Sequence, residues 1–251
     1  MTVRRVVHAS VLMEFGEEVI LTDPWFSQKR GYYWGEPLGV NLEDLPDLGG
    51  VVVSHGHYDH YDMEAFTAYP DKALPFVVRR GTAEAAREAG FTNVSELDPW
   101  ETTELGRVRI TAAPAKHGVP ENTYVLEAGG LTVFFGADTL LIPELSEVAR
   151  RFPKIDLALL PINGLKVRVL FNRQVVMNAR EAAELCGILR PRYAVPIHYR
   201  FTAGPVRDRI LIKHHGDPEE FVREATRRAP GTQFRILKPG EPLTVTPEGE
   251  R

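Results

Sequence analysis

Hydrophobic and polar positions along the chain follow two patterns, one typical of strands and one typical of helices. Continuous apolar runs such as "VVV" at 51–53 and "IDLALLPI" at 155–162 predict strands that are buried on both faces. Stretches with an apolar residue every three or four positions, such as 178–189 and 217–229, predict amphipathic helices. Blocks of strands and helices occur twice in the same order. This order predicts two sheets packed face to face, with helices outside them.

Single residues mark where several of these elements begin. Asp62 and Asn178 precede helical patterns and are residue types preferred at helix N-caps, while Pro218 stands at the first position of the last helix. The apolar runs "RRVVHASVLMEF" and "EEVILTDPWF" are separated at Gly16, which predicts an opening hairpin of two strands. We expect a single α/β domain over residues 1–251, a four-layer αββα sandwich of two mixed sheets. Its tail, about 238–251, is expected to be partly flexible because it is rich in Pro, Gly and Glu.

Composition limits the classes of protein to which the chain can belong. Of its 251 residues, 43% are hydrophobic and 25% are charged, as in ordinary globular proteins. The net charge of −4 gives no basic excess, so we expect no nucleic-acid partner. No apolar run approaches the roughly 18 residues that a membrane helix needs, so we expect no stable membrane insertion. The single cysteine, Cys186, allows no internal disulfide and favours a cytoplasmic location; its place on an apolar helix face predicts a core residue.

The stretch "SHGHYDH" at 54–60 directly follows the buried strand at 51–53 and is rich in metal-ligating side chains. Imidazole and carboxylate groups are ligands of zinc and similar ions. In an extended or turning loop, residues two apart point to one side, so His55 and His57 can converge on one ion. Asp59 and His60 would then face a different direction. The loop therefore predicts parts of two neighbouring metal sites rather than one cluster.

Four further polar residues follow predicted strands elsewhere in the chain. They are Asp23 after "EVILT", His117 after "VRITAAPAK", Asp138 after "LTVFFGA" and His198 after "RYAVPI". Ligands of open α/β sheets collect at the carboxyl ends of strands. A lone histidine in such a place is more often a satisfied polar residue than a ligand. The neighbouring histidine loop raises the expectation for all of them together.

Taken together, "SHGHYDH", His117, Asp138 and His198 resemble the metallo-β-lactamase fold superfamily in order and spacing, over nearly the whole chain. The stretches "HASVLMEFGEEVILTDPWF" and "VPIHYRFT" are similar to the branch containing L-ascorbate-6-phosphate lactonase and N-acyl-phosphatidylethanolamine phospholipase D. The resemblance implies an αββα sandwich holding two divalent ions, Zn or Mn, with Fe or Ni as alternatives. It implies a first site of His55, His57 and His117, a second of Asp59, His60 and His198, and a bridging Asp138. One departure is Ala137, an extra residue between Gly136 and Asp138.

The resemblance also implies a reaction. Two metal ions can hold a water between them, lower its pKa towards about 7 and polarise the group under attack. The predicted function is thus a metal-dependent hydrolase of an ester-type bond, a lactone or a phosphodiester, with Asp59 and Asp138 as catalytic ligands. The alternative is a mononuclear iron redox enzyme of the same fold, such as a sulfur dioxygenase. Di-iron members usually carry Glu within the loop, where this chain has His57, which argues against that class.

Residues around the metal ligands are predicted from position alone. Asp23 is expected to accept a hydrogen bond from a ligand imidazole, or else to be a turn residue before Pro24. The substrate is expected to be a small molecule, and an anionic one if Arg200 pairs with its phosphate or carboxylate. The aromatic loop around Trp34 would line a pocket mouth, contact a second copy in a homo-oligomer, or pack on its own domain.

The remaining histidines and the substrate contacts are also predicted from position. His8 is expected to be structural, and His214 and His215 are expected at the surface. The candidate substrate contacts are Trp34, Asn163, Tyr199 and Arg200.

Overall fold

A first mixed sheet is formed mainly by the amino-terminal third of the chain. The computed structural model describes residues 1–247. The strands of this sheet are β1 Thr2–Val7, β2 Ser10–Phe15, β3 Glu18–Thr22, β4 Gly50–Val53, β5 Phe76–Arg79, β6 Val94–Leu97 and β17 Pro242–Thr244. Their order across the sheet is β17-β1-β2-β3-β4-β5-β6. Antiparallel pairing joins β17, β1, β2 and β3, whereas β3 to β6 run parallel.

A second mixed sheet also has seven strands. They are β7 Thr102–Leu105, β8 Val108–Pro114, β9 Asn122–Ala128, β10 Leu131–Phe135, β11 Leu157–Pro161, β14 Tyr193–Ile197 and β16 Gln233–Phe234. Their order across the sheet is β16-β14-β11-β10-β9-β8-β7. Three short strands, β12 Lys166–Val167, β13 Arg173–Gln174 and β15 Ile212–Lys213, form a separate small sheet in the order β13-β12-β15.

Five helices cover the outer faces of the two large sheets: α1 Met63–Phe66, α2 Ala83–Glu88, α3 Ser146–Arg151, α4 Ala179–Leu189 and α6 Pro218–Arg228. A further short helix, α5 Pro205–Ile210, buries none of its side chains. Along β4 the side chains alternate between two cores: Val52 belongs to the core shared by both sheets, whereas Val51 and Val53 pack with α1 and α2. A third core joins the second sheet to α3, α4 and α6. The predicted α/β fold of two mixed sheets flanked by helices is therefore confirmed.

Several local predictions are confirmed by hydrogen bonds at helix ends. The Asn178 side chain accepts from the backbone N–H groups of Arg180 and Glu181, and Glu181 completes a capping box. Asp62 caps α1, and Pro218 opens α6. Cys186 is fully buried in the core under α4, and burial raises the pKa of its thiol to about 12. These interactions lie within a few residues in sequence, which is why local patterns could predict them.

One prediction about the start of the chain needs correction. The run "RRVVHASVLMEF" is not one strand, because the chain turns at His8 and Ala9 and returns as β2. The tail that was predicted to be partly flexible contains β17, which pairs with β1, and Leu243 and Val245 are buried. Its partial flexibility stays a prediction. Residues 248–251 of that tail lie outside the described part. Within residues 1–247 the longest helices have eleven residues, and none has the length and apolarity to cross a membrane.

Candidate metal centre

The predicted ligands meet at one edge shared by the two large sheets. The parallel strands β3, β4, β10 and β14 end at Thr22, Val53, Phe135 and Ile197, just before the polar residues of interest. β8 pairs antiparallel with β9, and β9 pairs antiparallel with β10, so β8 and β10 run in the same direction. His117, which follows β8, therefore lies at the same edge. Because carboxyl ends of parallel strands share an edge, five distant parts of the chain converge there.

His55, His57 and His117 form one compact group. The Nε2 atom of His55 lies 2.9 Å from Nδ1 of His57, which in turn lies 3.3 Å from Nε2 of His117. The other ring nitrogen of His117, Nδ1, donates to the Val175 carbonyl at 2.7 Å and so fixes the orientation of the ring. Burial lowers the pKa of all three imidazoles, most strongly that of His55. Neutral rings keep a lone pair free for a cation.

A second group contains Asp59, His60 and His198, as predicted, together with His8, which was not predicted there. Each of the four offers a ligand atom within 4.8 Å of the others. His8 Nε2 lies 3.4 Å from Asp59 Oδ2, and the His8 ring centroid is 3.7 Å from that of His198. Burial alone would raise the pKa of Asp59, but contacts with His8 and His60 hold it below its usual range.

Asp138 lies between these two groups. Its Oδ1 is 2.8 Å from Nε2 of His198, and its Oδ2 is 3.3 Å from Nε2 of His60 and 3.8 Å from Nε2 of His117. The extra residue Ala137 adopts a left-handed φ of 46°, which turns the chain before Asp138. The carboxylate thus reaches imidazoles of both groups despite the departure from the Gly-Asp pattern.

Several buried polar atoms at this centre have no hydrogen-bond partner. Among them are both ring nitrogens of His8 and His198, Nε2 of His60 and Oδ1 of Asp138. Asp138 Oδ1 and His198 Nε2 are close, at 2.8 Å, but do not have the geometry of a hydrogen bond. Leaving so many polar atoms unpaired in one buried place is costly, and a native fold rarely does so without a reason. A cation would satisfy several at once, and imidazole with carboxylate is a donor set that Zn and Mn accept. The residues present therefore fit a metal centre.

Two buried carboxylates lie behind the imidazoles, beside His60 and His55. Asp23 accepts from Nδ1 of His60 at 2.6 Å and from both the backbone and the hydroxyl of Ser54. The contact expected of Asp23 is thus present; its role toward a metal stays a prediction. Glu121, which sequence analysis missed, lies 3.4 Å from Nδ1 of His55 and accepts from the Asp138 backbone N–H. Burial and the nearby Asp138 charge raise the pKa of Glu121 well above its usual range.

His8 was expected to be structural but lies at the centre itself. It occupies the turn between β1 and β2, with a left-handed φ of 55°. Since β1 runs parallel to β3, its carboxyl end reaches the same edge as Asp23. The only signal in the sequence was a lone histidine inside an apolar run. Glu121 had no signal beyond its nearness to His117.

The four predicted substrate contacts do not line the cavity at this centre. Tyr199 is buried, and its hydroxyl accepts from Arg5 Nη1 at 2.7 Å. The Asn163 side chain accepts from the Leu165 backbone N–H, and this asparagine lines a separate cavity beside Asn178. Trp34 packs edge to face against the buried Trp25, and the Arg200 side chain is exposed. Sequence position identified the correct strand ends but not the direction of these side chains.

Two further histidines lie away from the centre. His214 lies beside Asp208, and His215 is exposed.

A cavity of ≈ 350 Å³ opens above the ligand groups. His57, Asp59, His117, Asp138 and His198 form its floor. Its walls come largely from two segments, 164–175 and 200–213, which we call the cover; they contain the small sheet and α5. The cover contributes mostly apolar side chains and one cation, Arg207. The cavity therefore combines a polar, ligand-rich floor with apolar walls.

Comparison with known proteins agrees with this architecture. The family model of the β-lactamase superfamily domain matches residues 18–199. A UPF0173 metal-dependent hydrolase from Pyrobaculum islandicum is 30% identical over 260 residues, covering 98% of this chain and 100% of the relative. Igni18, a metallo hydrolase from Ignicoccus hospitalis, has a similar fold, with a TM-score of 0.74, 23% identity, and coverage of 96% of this chain and 97% of that one.

Another solved structure shows that the same fold occurs with other chemistry. CmlA, a diiron β-hydroxylase from Streptomyces venezuelae, has a TM-score of 0.75 at 19% identity, with coverage of 96% of this chain and 53% of that one. At this identity the likeness concerns the fold alone.

The family match covers most of the chain, and the relative from Pyrobaculum is similar over its full length, so together they show the family of this chain. The chain belongs to the metallo-β-lactamase superfamily and, within it, to the UPF0173 metal-dependent hydrolase family. The finer resemblance to the lactonase and phospholipase branch stays a prediction.

Proposed function

We propose that this chain is a binuclear metallohydrolase that cleaves an ester-type bond, a lactone or a phosphodiester, in a small-molecule substrate. The observation that carries the proposal is the convergence of two ligand groups on the cavity floor, with Asp138 between them. His55, His57 and His117 would hold one ion. Asp59, His60 and His198 would hold the other, with His8 within reach of that second group.

Two bound divalent ions would polarise the scissile group and make hydroxide available near neutral pH. The chain's own residues prepare the place for this chemistry. Asp23 fixes the ring of His60, and the Ser54 hydroxyl bonds the ring of His55, with Glu121 close to it. The low pKa of Asp59 keeps its carboxylate ionised at neutral pH, which suits it to orient a ligand rather than to take up a proton.

The position of Arg207 in the cavity wall supports an anionic substrate, whereas the predicted Arg200 does not line the cavity. Arg207 is the only cation among the residues lining the cavity within residues 1–247. Its guanidinium donates to the Arg30 carbonyl and has no carboxylate partner there, so its charge is available to a phosphate or carboxylate of the substrate.

Hydrolysis by metal-loaded protein tests the proposal. Chain loaded with Zn or Mn is assayed against lactones, phosphodiesters and simple esters. We expect turnover of at least one class, abolished in His57→Ala and Asp138→Asn, because each change removes a ligand atom from the floor. His214→Ala is the matched control, since this histidine lies outside the cavity floor. Binding of a single iron with oxygen uptake, and no hydrolysis, would instead support the redox alternative.

A further inference from the structure

Exposed apolar side chains are concentrated in one part of the surface. Within residues 1–247, five large hydrophobic side chains are more than half exposed, and all of them belong to the cover. Scattered single exposures are normal, but a cluster of this kind usually marks an interaction site. The five are Val169 (66%), Leu170 (51%), Phe171 (100%), Val206 (68%) and Ile210 (59%).

Phe171 is the extreme case. Its ring is fully exposed, and its backbone has a left-handed φ of 55°, a conformation that is unfavourable for a bulky residue. Neither feature stabilises the folded chain in water. Strained, exposed aromatic groups are found where a surface serves an interaction.

Positive charge is also concentrated in the cover. It contains seven basic residues and one acidic residue, Asp208, for a net charge of +6 in a chain whose total is −4. Asp208 accepts from the Ala203 backbone N–H and the Thr202 hydroxyl. Within residues 1–247 none of the seven cations forms an ion pair, whereas Arg79, Arg80 and Arg151 elsewhere pair with acids. The seven are Lys166, Arg168, Arg173, Arg200, Arg207, Arg209 and Lys213.

The same surface borders the entrance of the cavity. Leu170, Arg207 and Leu211 line the cavity and also belong to the cover, and Leu170 and Leu211 are exposed. Whatever covers the exposed groups therefore lies against the route by which a substrate reaches the floor.

We propose that the cover docks on an anionic lipid surface. Exposed apolar side chains beside unpaired cations are the combination that binds peripherally to such a surface: the apolar groups enter the headgroup boundary, and the cations face the anionic headgroups. Docking of this kind needs no spanning helix. It would place the cavity entrance against the lipid.

A second copy of the chain fits this surface less well. In a two-fold symmetric dimer the same patch faces itself, so the seven cations of one cover would oppose the seven of the other. A lipid surface of opposite charge carries no such penalty. The inference does not depend on the proposed hydrolysis.

Vesicle sedimentation tests the proposal on the full chain. Protein is spun with vesicles of phosphatidylcholine alone and with vesicles that also contain phosphatidylglycerol. We expect binding to the anionic vesicles only, weakened by salt because exposed charges are screened. Phe171→Ser and the double variant Arg168→Gln/Arg209→Gln should each lower the bound fraction several-fold. Ile188→Ser and Arg150→Gln are the matched controls, since both residues are exposed outside the cover and should bind like the parent chain.

Three results would overturn the proposal. One is no binding to anionic vesicles, and another is equal binding by parent and cover variants. The third is a dimer in analytical ultracentrifugation that Phe171→Ser dissociates, because the occupant of the cover would then be a second copy. Thermal unfolding of each variant verifies that loss of binding is not loss of fold.

Discussion

At the residue scale, the centre depends on single side chains that the fold brings together from far apart. His8 and Glu121 are the clearest cases, since each is buried and contacts a predicted ligand. His8 needs a left-handed turn between β1 and β2 to reach Asp59, and Asp138 needs one at Ala137. Backbone conformations of this kind are kept where the surrounding structure and the function require them.

The placement of His8 predicts a role in metal affinity. We expect His8→Ala to weaken binding of one of the two divalent ions by about 10- to 100-fold, the range typical for partners of metal ligands. The other ion should bind as before, because His8 does not contact the group of His55, His57 and His117. Titration against a chelating competitor measures both affinities. Unchanged affinity for both ions would contradict this role.

Burial of His8 also predicts how stability depends on pH. Burial and the nearby His198 lower the pKa of His8 to about 3, whereas its unfolded value is 6.5. Between these values the unfolded chain binds a proton that the folded chain does not, so this contribution to the free energy of unfolding is present above pH 6.5 and is lost as pH falls towards 3. Metal-free His8→Leu should therefore lose less stability than the parent chain between pH 6.5 and 4. Denaturant unfolding across this range measures it, and parallel curves would contradict it.

At the scale of elements, the candidate metal ligands follow the ends of strands, and the helices stabilise the sheets to which these strands belong. β4 is buried on both faces and positions the loop of His55 to His60. α4 lies against the second sheet, and its N-cap residue, Asn178, pairs by an isolated β-bridge with Asn163 just after β11. The start of α4 is thus joined to the residues that follow β11.

The cap of α4 gives a prediction at this scale. Asn178→Ala removes the acceptor for two backbone N–H groups and should lower the free energy of unfolding by about 1 kcal/mol. Asn93→Ala is the control, because Asn93 is exposed and lies outside any helix. Urea unfolding compares the two. Equal stability of both variants would show that the capping box contributes little.

Elements also explain which parts of the site could be predicted from the sequence. Four of the candidate ligands lie within six residues, so their pattern could be recognised without knowing the fold; they are His55, His57, Asp59 and His60. Strand periodicity placed His117, Asp138 and His198 at strand ends, and the resemblance joined them. The direction of side chains at Trp34, Asn163, Tyr199 and Arg200 depends on packing by remote residues, such as Arg5 against Tyr199. Short, irregular strands such as β12 and β13 gave no periodic signal, so the cover was missed.

At the scale of the whole molecule, two mixed sheets present one shared edge, and the cover forms a basic, partly apolar surface above it. The acidic remainder and the basic cover have opposite net charge, which the total of −4 conceals. The net charge alone therefore could not indicate this basic surface. A cytoplasmic location and the oligomeric state stay predictions.

Metal content tests the central claim most directly. Purified chain is stripped, reloaded with excess Zn or Mn, desalted and analysed by mass spectrometry of the elements, beside Asp138→Asn and His214→Ala. The account predicts two ions per chain for the parent and for His214→Ala, and fewer than two for Asp138→Asn, because Asp138 lies between both ligand groups. Fewer than two ions in the parent chain, or two in Asp138→Asn with unchanged affinity, would contradict a binuclear centre built around this carboxylate.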